Sequence, residues 1–451
     1  VVRAGGGLVQ ELQREVSLVN TREPSVDFQL RPGSEMTMRV KIGPVPIRWV
    51  AAISPSPEEG TRGFVDRQLK GPFAHWQHSH LFREAQNGST LVDRVEYKLP
   101  LEPMSRWIAG AFSRKKVESM FAYRHRITAV DLQRAETPLP HRRVAISGAS
   151  GMIGRGLAAL LRTQGIEVIE LVRRKAQGDH ERQWSADGSL PLALEDCDAV
   201  VHLAGEPIAG GRWSRSRMDR IRTSRVEGTK VIADAVARAT TARSERGEAA
   251  IDFLCASGAG AYGTQKQGDE TPLDESKPYC TGFLAEVARD WEAAADAARK
   301  AGARTCHLRL GAVLSPAGGA LRKMLPPFLF GGGGRIGSGK QWMSWIALDD
   351  ALYAMRHILA HEELAGPINL VSPESITNAQ FTKTLGRVLR RPTILPVHGF
   401  ALRLAFGKMA DEVLLEGQRA VPSKLAASGF KFEYGALEDA LRHGFGHAMP
   451  R

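Results

Sequence analysis

Eleven residues, Val144-Ala-Ile-Ser-Gly-Ala-Ser-Gly-Met-Ile-Gly154, constrain this chain more than any other stretch. A short apolar run leads into Gly148, Gly151 and Gly154, and a helical apolar pattern follows through Leu157, Leu160 and Leu161 to Gly165. A second apolar run, Val168 to Val172, comes at once. Strand, glycine turn, helix and strand in that order make the first βαβ unit of a dinucleotide-binding fold. Each glycine answers a steric need: Gly148 for a sharp turn, Gly151 for approach of backbone N–H groups to a pyrophosphate, Gly154 for close packing of helix on sheet. With 46 glycines in 451 residues the spacing alone says little, and the flanking elements make it specific. The helix start adds unpaired donors and partial positive charge, which suit a diphosphate.

Cofactor choice is read at the end of the second strand. A site for NAD places Asp or Glu there, about 20 residues past the first glycine. This chain has Arg173, Arg174 and Lys175 instead. A guanidinium pairs with a 2′-phosphate in a fork, so the expected cofactor is NADP(H). The next strand, Ala199 to Gly205, ends in small residues that let backbone pass beside a nucleotide. A helical stretch follows with six arginines between Arg212 and Arg225, most of them expected on a solvated face. Phe253 to Gly263 is a further buried strand, delivering Ser257 at its end and Tyr262 past a turn. Ligands of parallel sheets sit beyond those strand ends, so Ser257 is expected to face the reacting ring. A helix is expected over Glu286–Lys300, and strands over Arg304–Leu310 and Trp342–Ile346. Gly334-Arg-Ile-Gly-Ser-Gly-Lys340 has the spacing of a phosphate loop, but Gln341 stands where Ser or Thr must reach magnesium, and no strand precedes it. A mobile glycine loop over the substrate is expected there.

The first 135 residues read differently. Alternation in Val26–Leu30, Met36–Val40, Ile47–Ala51 and Leu91–Tyr97 predicts an antiparallel sheet covered on one face, with a helix over about 106–130 as the cover. In Gly71–His80 the side chains of Trp76, His78 and His80 fall on one face of a strand. Two histidines underdetermine a zinc site, so they are read as lining a core or cavity and no metal is assigned.

The string Gly-Pro-Phe-x-x-Trp-x-His-x-His-x-Phe, ending at Phe82, resembles a START-like (SRPBCC) domain, a helix-grip fold that encloses an apolar ligand. The opening strand and short helices of that fold have no counterpart, and the chain begins with Val, so the domain is expected to be incomplete at its N-terminus. Residues from about 142 resemble the extended short-chain dehydrogenase/reductases of the nucleotide-sugar epimerase type. More narrowly, they are similar to the atypical "epimerase family" proteins with a C-terminal DUF1731-type domain. The strings that carry this are the glycine turn, His202-Leu-Ala-Gly-Glu206, Arg212-Trp213, Ser224-Arg225, Trp291-Glu292, Arg309 to Leu314, Gly337 to Trp342, Asp349-Asp350, Asn369, and Leu414 to Arg419. The resemblance implies that Gly148, Gly151, Met152, Ile153, Gly154, Arg173, Arg174, Leu203, Ala204, Arg225 and Val313 touch the cofactor.

The chemistry departs from the wider superfamily, whose Tyr-x-x-x-Lys pair moves a proton as hydride moves. Here Tyr279 is followed four residues on by Phe283, and the helix carries no such pair. Ser257 remains to polarise a carbonyl, with Tyr262, or else Glu286, as proton donor. Two readings therefore stand: an NADP(H)-dependent oxidoreductase or epimerase-like enzyme on a small molecule, or an inactive NADP(H)-binding protein.

The expected architecture is α/β, a Rossmann-type doubly wound parallel sheet with a small C-terminal lobe, preceded by an α+β helix-grip domain. The expected segments are 1–135, a linker 136–141, a nucleotide domain 142–395 and a C-terminal domain 396–451. A net charge of +12 without a nucleic-acid motif points to anionic small molecules rather than nucleic acid. Four scattered cysteines, no signal peptide and no membrane-length apolar run predict a cytoplasmic protein with reduced thiols and no membrane partner.

Overall fold

The structure, a computed structural model, describes residues 33–42, 45–55, 62–85, 88–101, 104–447 and 449. These fall into two compact units, one ending at His125 and one from Arg126 onward. The strand expected at Val26–Leu30 lies outside the described residues.

In the first unit, five strands pair antiparallel in sequence order: β1 (Glu35–Ile42), β2 (Val45–Pro55), β3 (Arg62–Lys70), β4 (His75–Ala85) and β5 (Gly88–Lys98). β3, rich in charge, was not legible as a strand. A long helix, α1 (Met104–Ala135), follows, and Val117, Met120 and Phe121 pack on a core of Trp49, Ala51 and Trp76. Trp49 meets Trp76 edge-on at 5.0 Å, an arrangement that aligns ring edge with ring face.

The second unit is built on a seven-stranded parallel sheet. Its strands are β6 (Arg143–Ser147), β7 (Glu167–Val172), β8 (Glu181–Gln183), β9 (Ala199–His202), β10 (Asp252–Gly258), β11 (Thr305–Leu310) and β15 (Gly366–Leu370). Their spatial order, β15-β11-β10-β9-β6-β7-β8, reverses direction between β6 and β9. That reversal opens the crevice in which doubly wound sheets bind ligands. The strands are apolar without alternation because both faces are covered. Val144 and Ile146 point into one core with Val201 and Leu254; Ala145, between them, points into the other with Val200 and Phe253.

Helices α2 (Met152–Thr163) and α7 (Leu348–Ala360) cover the first face. The other is covered by α3 (Arg215–Glu245), α4 (Phe283–Ala293) and α5 (Asp296–Lys300). The single helix expected over Glu286–Lys300 is thus two, broken at Ala294–Ala295. Leu157, Leu160 and Leu161 of α2 are fully buried, each worth about 1.5–3 kcal/mol of burial.

The chain continues through β12 (Ala312–Leu314), α6 (Gly319–Leu329), β13 (Trp342–Met343), β14 (Trp345–Ala347), β16 (Ile376–Thr377) and α8 (Asn378–Leu389). It ends with α9 (Gly399–Phe406), α10 (Ser423–Ala427) and α11 (Leu437–Gly444). This last segment is tied to the start of α7. The Asp350 carboxylate accepts the amides of Glu433 and Tyr434, both at 2.9 Å, and Asp349 meets His443 at 2.8 Å. No helix among the described residues is long and apolar enough to cross a membrane.

Candidate functional site

The crevice is shaped first by Ser147, the last residue of β6. Its hydroxyl meets His202 Nδ1 at 2.6 Å, and its oxygen accepts the amides of Leu203 at 3.2 Å and Ala204 at 3.4 Å. Burial pushes the His202 imidazole down to about 4, so it is neutral and suited to accept the serine proton at Nδ1. The result clamps Leu203–Ala204 against the turn. Gly148 has φ +73°, and a Cβ there would stand 2.9 Å from the Ala204 nitrogen. Gly151 starts α2 with no side chain capping the helix, so its first-turn amides, at Met152, Ile153 and Gly154, are left to an outside acceptor. Beyond the turn, a Cβ on Gly318 would lie 2.9 Å from the Met152 sulfur, and one on Gly319 would lie 3.4 Å from both the Met152 methyl and the Val313 carbonyl oxygen, so Met152 and Val313 meet at this bend.

The two arginines after β7 are not equivalent. Arg174 is gripped as a fork by Glu181, with Nη1 donating at 2.6 Å, and donates also to the Lys175 carbonyl at 3.0 Å. Arg173 is exposed and makes no side-chain hydrogen bond or ion pair among the described residues. Arg225, within α3, is only 7% exposed. Its guanidinium donates to the Glu206 and Ile221 carbonyls at 3.0 and 3.1 Å and lies 4.9 Å over the Trp291 ring. Burial pushes it down to about 10, with the nearby Glu206 carboxylate opposing, so it is still protonated at neutral pH; among the described residues no carboxylate is within ion-pair distance of it. A buried cation beside Gly205 that no carboxylate contacts directly is a place where an anion gains most. The other five arginines of that stretch are exposed or half-buried, as expected.

Ser257 is the last residue but one of β10, and Tyr262 closes the single 3₁₀ turn after it, past the strand end as read from the sequence. What surrounds them was not foreseen. Ser257 stands opposite Arg309 on β11, and Arg309 opposite Asn369 on β15, so three neighbouring strands present one polar row. Glu292 of α4 drops onto this row. Ser257 donates to Glu292 Oε1 at 2.7 Å, and Arg309 bonds both carboxylate oxygens at 2.9 and 3.1 Å. Arg309 also donates to the Tyr262 oxygen at 3.0 Å, and the Tyr262 hydroxyl donates to Asn369 Oδ1 at 2.8 Å. Tyr279, half-exposed, donates to Glu292 Oε2 at 2.6 Å.

Burial works against ionising Glu292, but Arg309 and Tyr279 outweigh it and hold the carboxyl below its ordinary value. Burial raises Tyr262, with Arg309 opposing it. Burial, then the bond to Glu292, pushes Tyr279 up to about 12. Glu286 lies outside the network, exposed and 4.0 Å from Arg222. Trp291-Glu292, Arg309 and Asn369 stood out in the sequence only as strings without a role, because their meeting depends on strand register.

The loop at 331–341 corrects another expectation: it is pinned, not mobile. Gly337 donates to the Val397 carbonyl at 2.9 Å, Val397 donates back to Arg335 at 2.8 Å, and Gln341 holds the Ile336 and Leu414 carbonyls at 3.1 and 2.8 Å.

Sheet order, glycine turn and uncapped helix define a Rossmann-type protein of the epimerase and short-chain reductase architecture. Residues 144–370 match the model described as NAD dependent epimerase/dehydratase family, and residues 397–444 match the domain of unknown function DUF1731. The chain belongs to the NAD dependent epimerase/dehydratase family. It is 44% identical over 300 residues to "Epimerase family protein Mb2239" of Mycobacterium bovis, covering 66% of this chain and 96% of that one. A crystal structure of human epimerase family protein SDR39U1 with NADPH superposes with a TM-score of 0.60 at 32% identity, over 67% of this chain and 99% of that one. A structure titled nucleoside-diphosphate sugar epimerase, from Corynebacterium glutamicum, superposes with a TM-score of 0.73 at 30% identity, covering 98% of this chain and 86% of that one.

Proposed function

We propose that the second unit binds NADP(H) across the Gly148–Gly154 turn and acts as an oxidoreductase or epimerase-like enzyme on a small molecule. The observation that carries this is the turn itself: an uncapped helix start behind a glycine with φ +73°, in a cradle that a Cβ would fill. Met152, Ile153 and Gly154 would offer amides to the diphosphate, with Leu203, Ala204 and Val313 as walls. Arg173, without a hydrogen bond or ion pair among the described residues, and Arg225, buried with no carboxylate among them in direct contact, fit the phosphates. The NADPH of the human relative supports the choice. When bound, the cofactor supplies the hydride chemistry.

In this reading a cation still stands against the tyrosine oxygen, as the superfamily's lysine does, but it is Arg309 at 3.0 Å from Tyr262. Ser257, held by Glu292, orients the group that reacts. One observation favours the second reading, a cofactor-binding protein without turnover: the hydroxyls of Ser257 and Tyr262 already donate hydrogen bonds to Glu292 and Asn369. NADPH oxidation against a panel of carbonyls and sugar nucleotides separates the two. An enzyme should lose about 10²–10⁴-fold in turnover with Ser257→Ala or Tyr262→Phe, the usual weight of acid–base catalysis. NADPH binding with no turnover on any compound supports the second reading, and full turnover in both variants removes these residues from the chemistry.

Cofactor preference is tested separately. Arg173→Ala should weaken NADPH by about 10–100-fold, the value of a charge-assisted hydrogen bond, and leave NADH nearly unchanged. Arg174→Ala should discriminate less, since its fork is already filled by Glu181. Equal loss of both cofactors in Arg173→Ala, measured by calorimetry, would defeat the 2′-phosphate assignment.

Residues 1–135, with five antiparallel strands and the helix after them, fit a START-like module for an apolar ligand. The segments 136–141, 142–395 and 396–451 follow as linker, nucleotide domain and substrate-lobe domain. Three buried free thiols, Cys197, Cys255 and Cys306, fit a cytoplasmic, reducing compartment.

A further inference from the structure

The first unit holds a second chemical centre, between its sheet and α1. His78 and His80, two apart on β4, are 3% and 4% exposed. Sequence order hides their partners, which come from the strands on either side: Asp66 of β3 pairs in register with His78, and Asp93 of β5 with His80. Asp66 Oδ2 lies 3.0 Å from His78 Nδ1 and 3.2 Å from His80 Nε2. Asp93 Oδ1 lies 3.0 Å from the other nitrogen of each ring.

Both carboxylates are themselves held. Trp76 Nε1 meets Asp66 Oδ1 at 3.3 Å, and His125 Nε2 meets Asp93 Oδ2 at 2.7 Å. Phe64 stacks on His80 at 4.2 Å and Phe121 sits edge-on to His78 at 4.9 Å, so the rings are fixed in place.

We propose that Asp66 Oδ2, His78 Nδ1 and His80 Nε2 ligate one divalent first-row transition ion. Donors at 2.0–2.1 Å from a tetrahedral centre stand about 3.3–3.4 Å from one another. The three atoms named here lie within 4.8 Å of one another, with both nitrogen–oxygen separations near that edge length. Two nitrogens and one oxygen suit zinc or iron(II) better than a thiolate-seeking ion. Asp93 then has the place of an outer carboxylate, which accepts from the free nitrogen of each ligating ring, fixes its tautomer and raises its basicity. Three protein ligands leave a coordination position for water or a bound molecule.

The test uses the full chain, stripped with chelator and titrated calorimetrically with Zn²⁺, alongside the visible absorption of added Co²⁺. The expected result is one equivalent of Zn²⁺ at micromolar affinity or tighter, release of protons on binding, and Co²⁺ bands of a low-coordinate nitrogen and oxygen site. His78→Ala with His80→Ala should abolish both signals, and Asp93→Asn should weaken Zn²⁺ about 10–100-fold while sparing the Co²⁺ spectrum. Circular dichroism shows whether the variants fold; if they do not, uptake by the unaltered chain decides. No stoichiometric uptake, or uptake that persists in a folded double variant, overturns the proposal.

Discussion

Gly154→Val is expected to remove NADPH binding, with a loss beyond about 100-fold in affinity. A Cβ at this position would lie 2.3 Å from the Gly148 oxygen, 2.8 Å from its carbonyl carbon and 2.9 Å from the Ala149 Cα. All three are backbone atoms of the turn, and none can rotate aside. The helix start must lift away from the strand end, and the amides that would face a diphosphate move with it. Overpacking of this kind also costs about 1–3 kcal/mol of stability. Gly156→Ala, two residues on, is the control. There the new Cβ meets the Leu352 Cδ1 at 2.7 Å, the end of a flexible side chain that can turn away. Calorimetry with NADPH and thermal melts on both variants give the comparison. Wild-type affinity in Gly154→Val would show that the diphosphate does not lie on this turn.

Arg309→Met should cost about 3–5 kcal/mol of stability, the penalty for leaving a buried charge without its partner. Glu292 would remain, 4% exposed, with only hydroxyl donors from Ser257 and Tyr279. Arg309→Lys keeps a charge but loses the two-pronged contact and should fall between. Replacing both partners, Arg309→Met with Glu292→Met, should recover much of the loss, because neither charge then needs a counter-ion. Urea unfolding measures all three. The pH dependence has a definite sign. Glu292 is held below its ordinary value of 4.5 in the native state, so the pair contributes fully above that pH. Its contribution fades as pH falls through the native value. A cost below about 1 kcal/mol for Arg309→Met would mean that the pair is solvated in solution.

What the sequence made legible was local. The turn at Gly148–Gly154 and the burial of β6, β9 and β10 can be read from runs of ten residues, because pattern and turn chemistry act over that span. The positions of Ser257 near a strand end and of Tyr262 past the turn after it were legible for the same reason. Their partners were not, since Glu292, Arg309 and Asn369 come from a helix and two other strands, and only register brings them together. A shift of one residue in β11 would turn Arg309 to the other face. Arg173 and Arg174 looked alike until β8, three residues long, put Glu181 beside one of them. The glycine run at 331–341 suggested mobility from composition, whereas its order comes from hydrogen bonds to Val397 and Leu414, far along the chain.

The contacts at the head of α7 bear on how this architecture comes apart. Asp349 and Asp350 are 5% and 1% exposed, and Asp350 takes two of its hydrogen bonds from the DUF1731 portion. Without that portion the carboxylate would lose two amide donors and open to water, so the C-terminal segment and the head of this helix are expected to unfold as one cooperative unit.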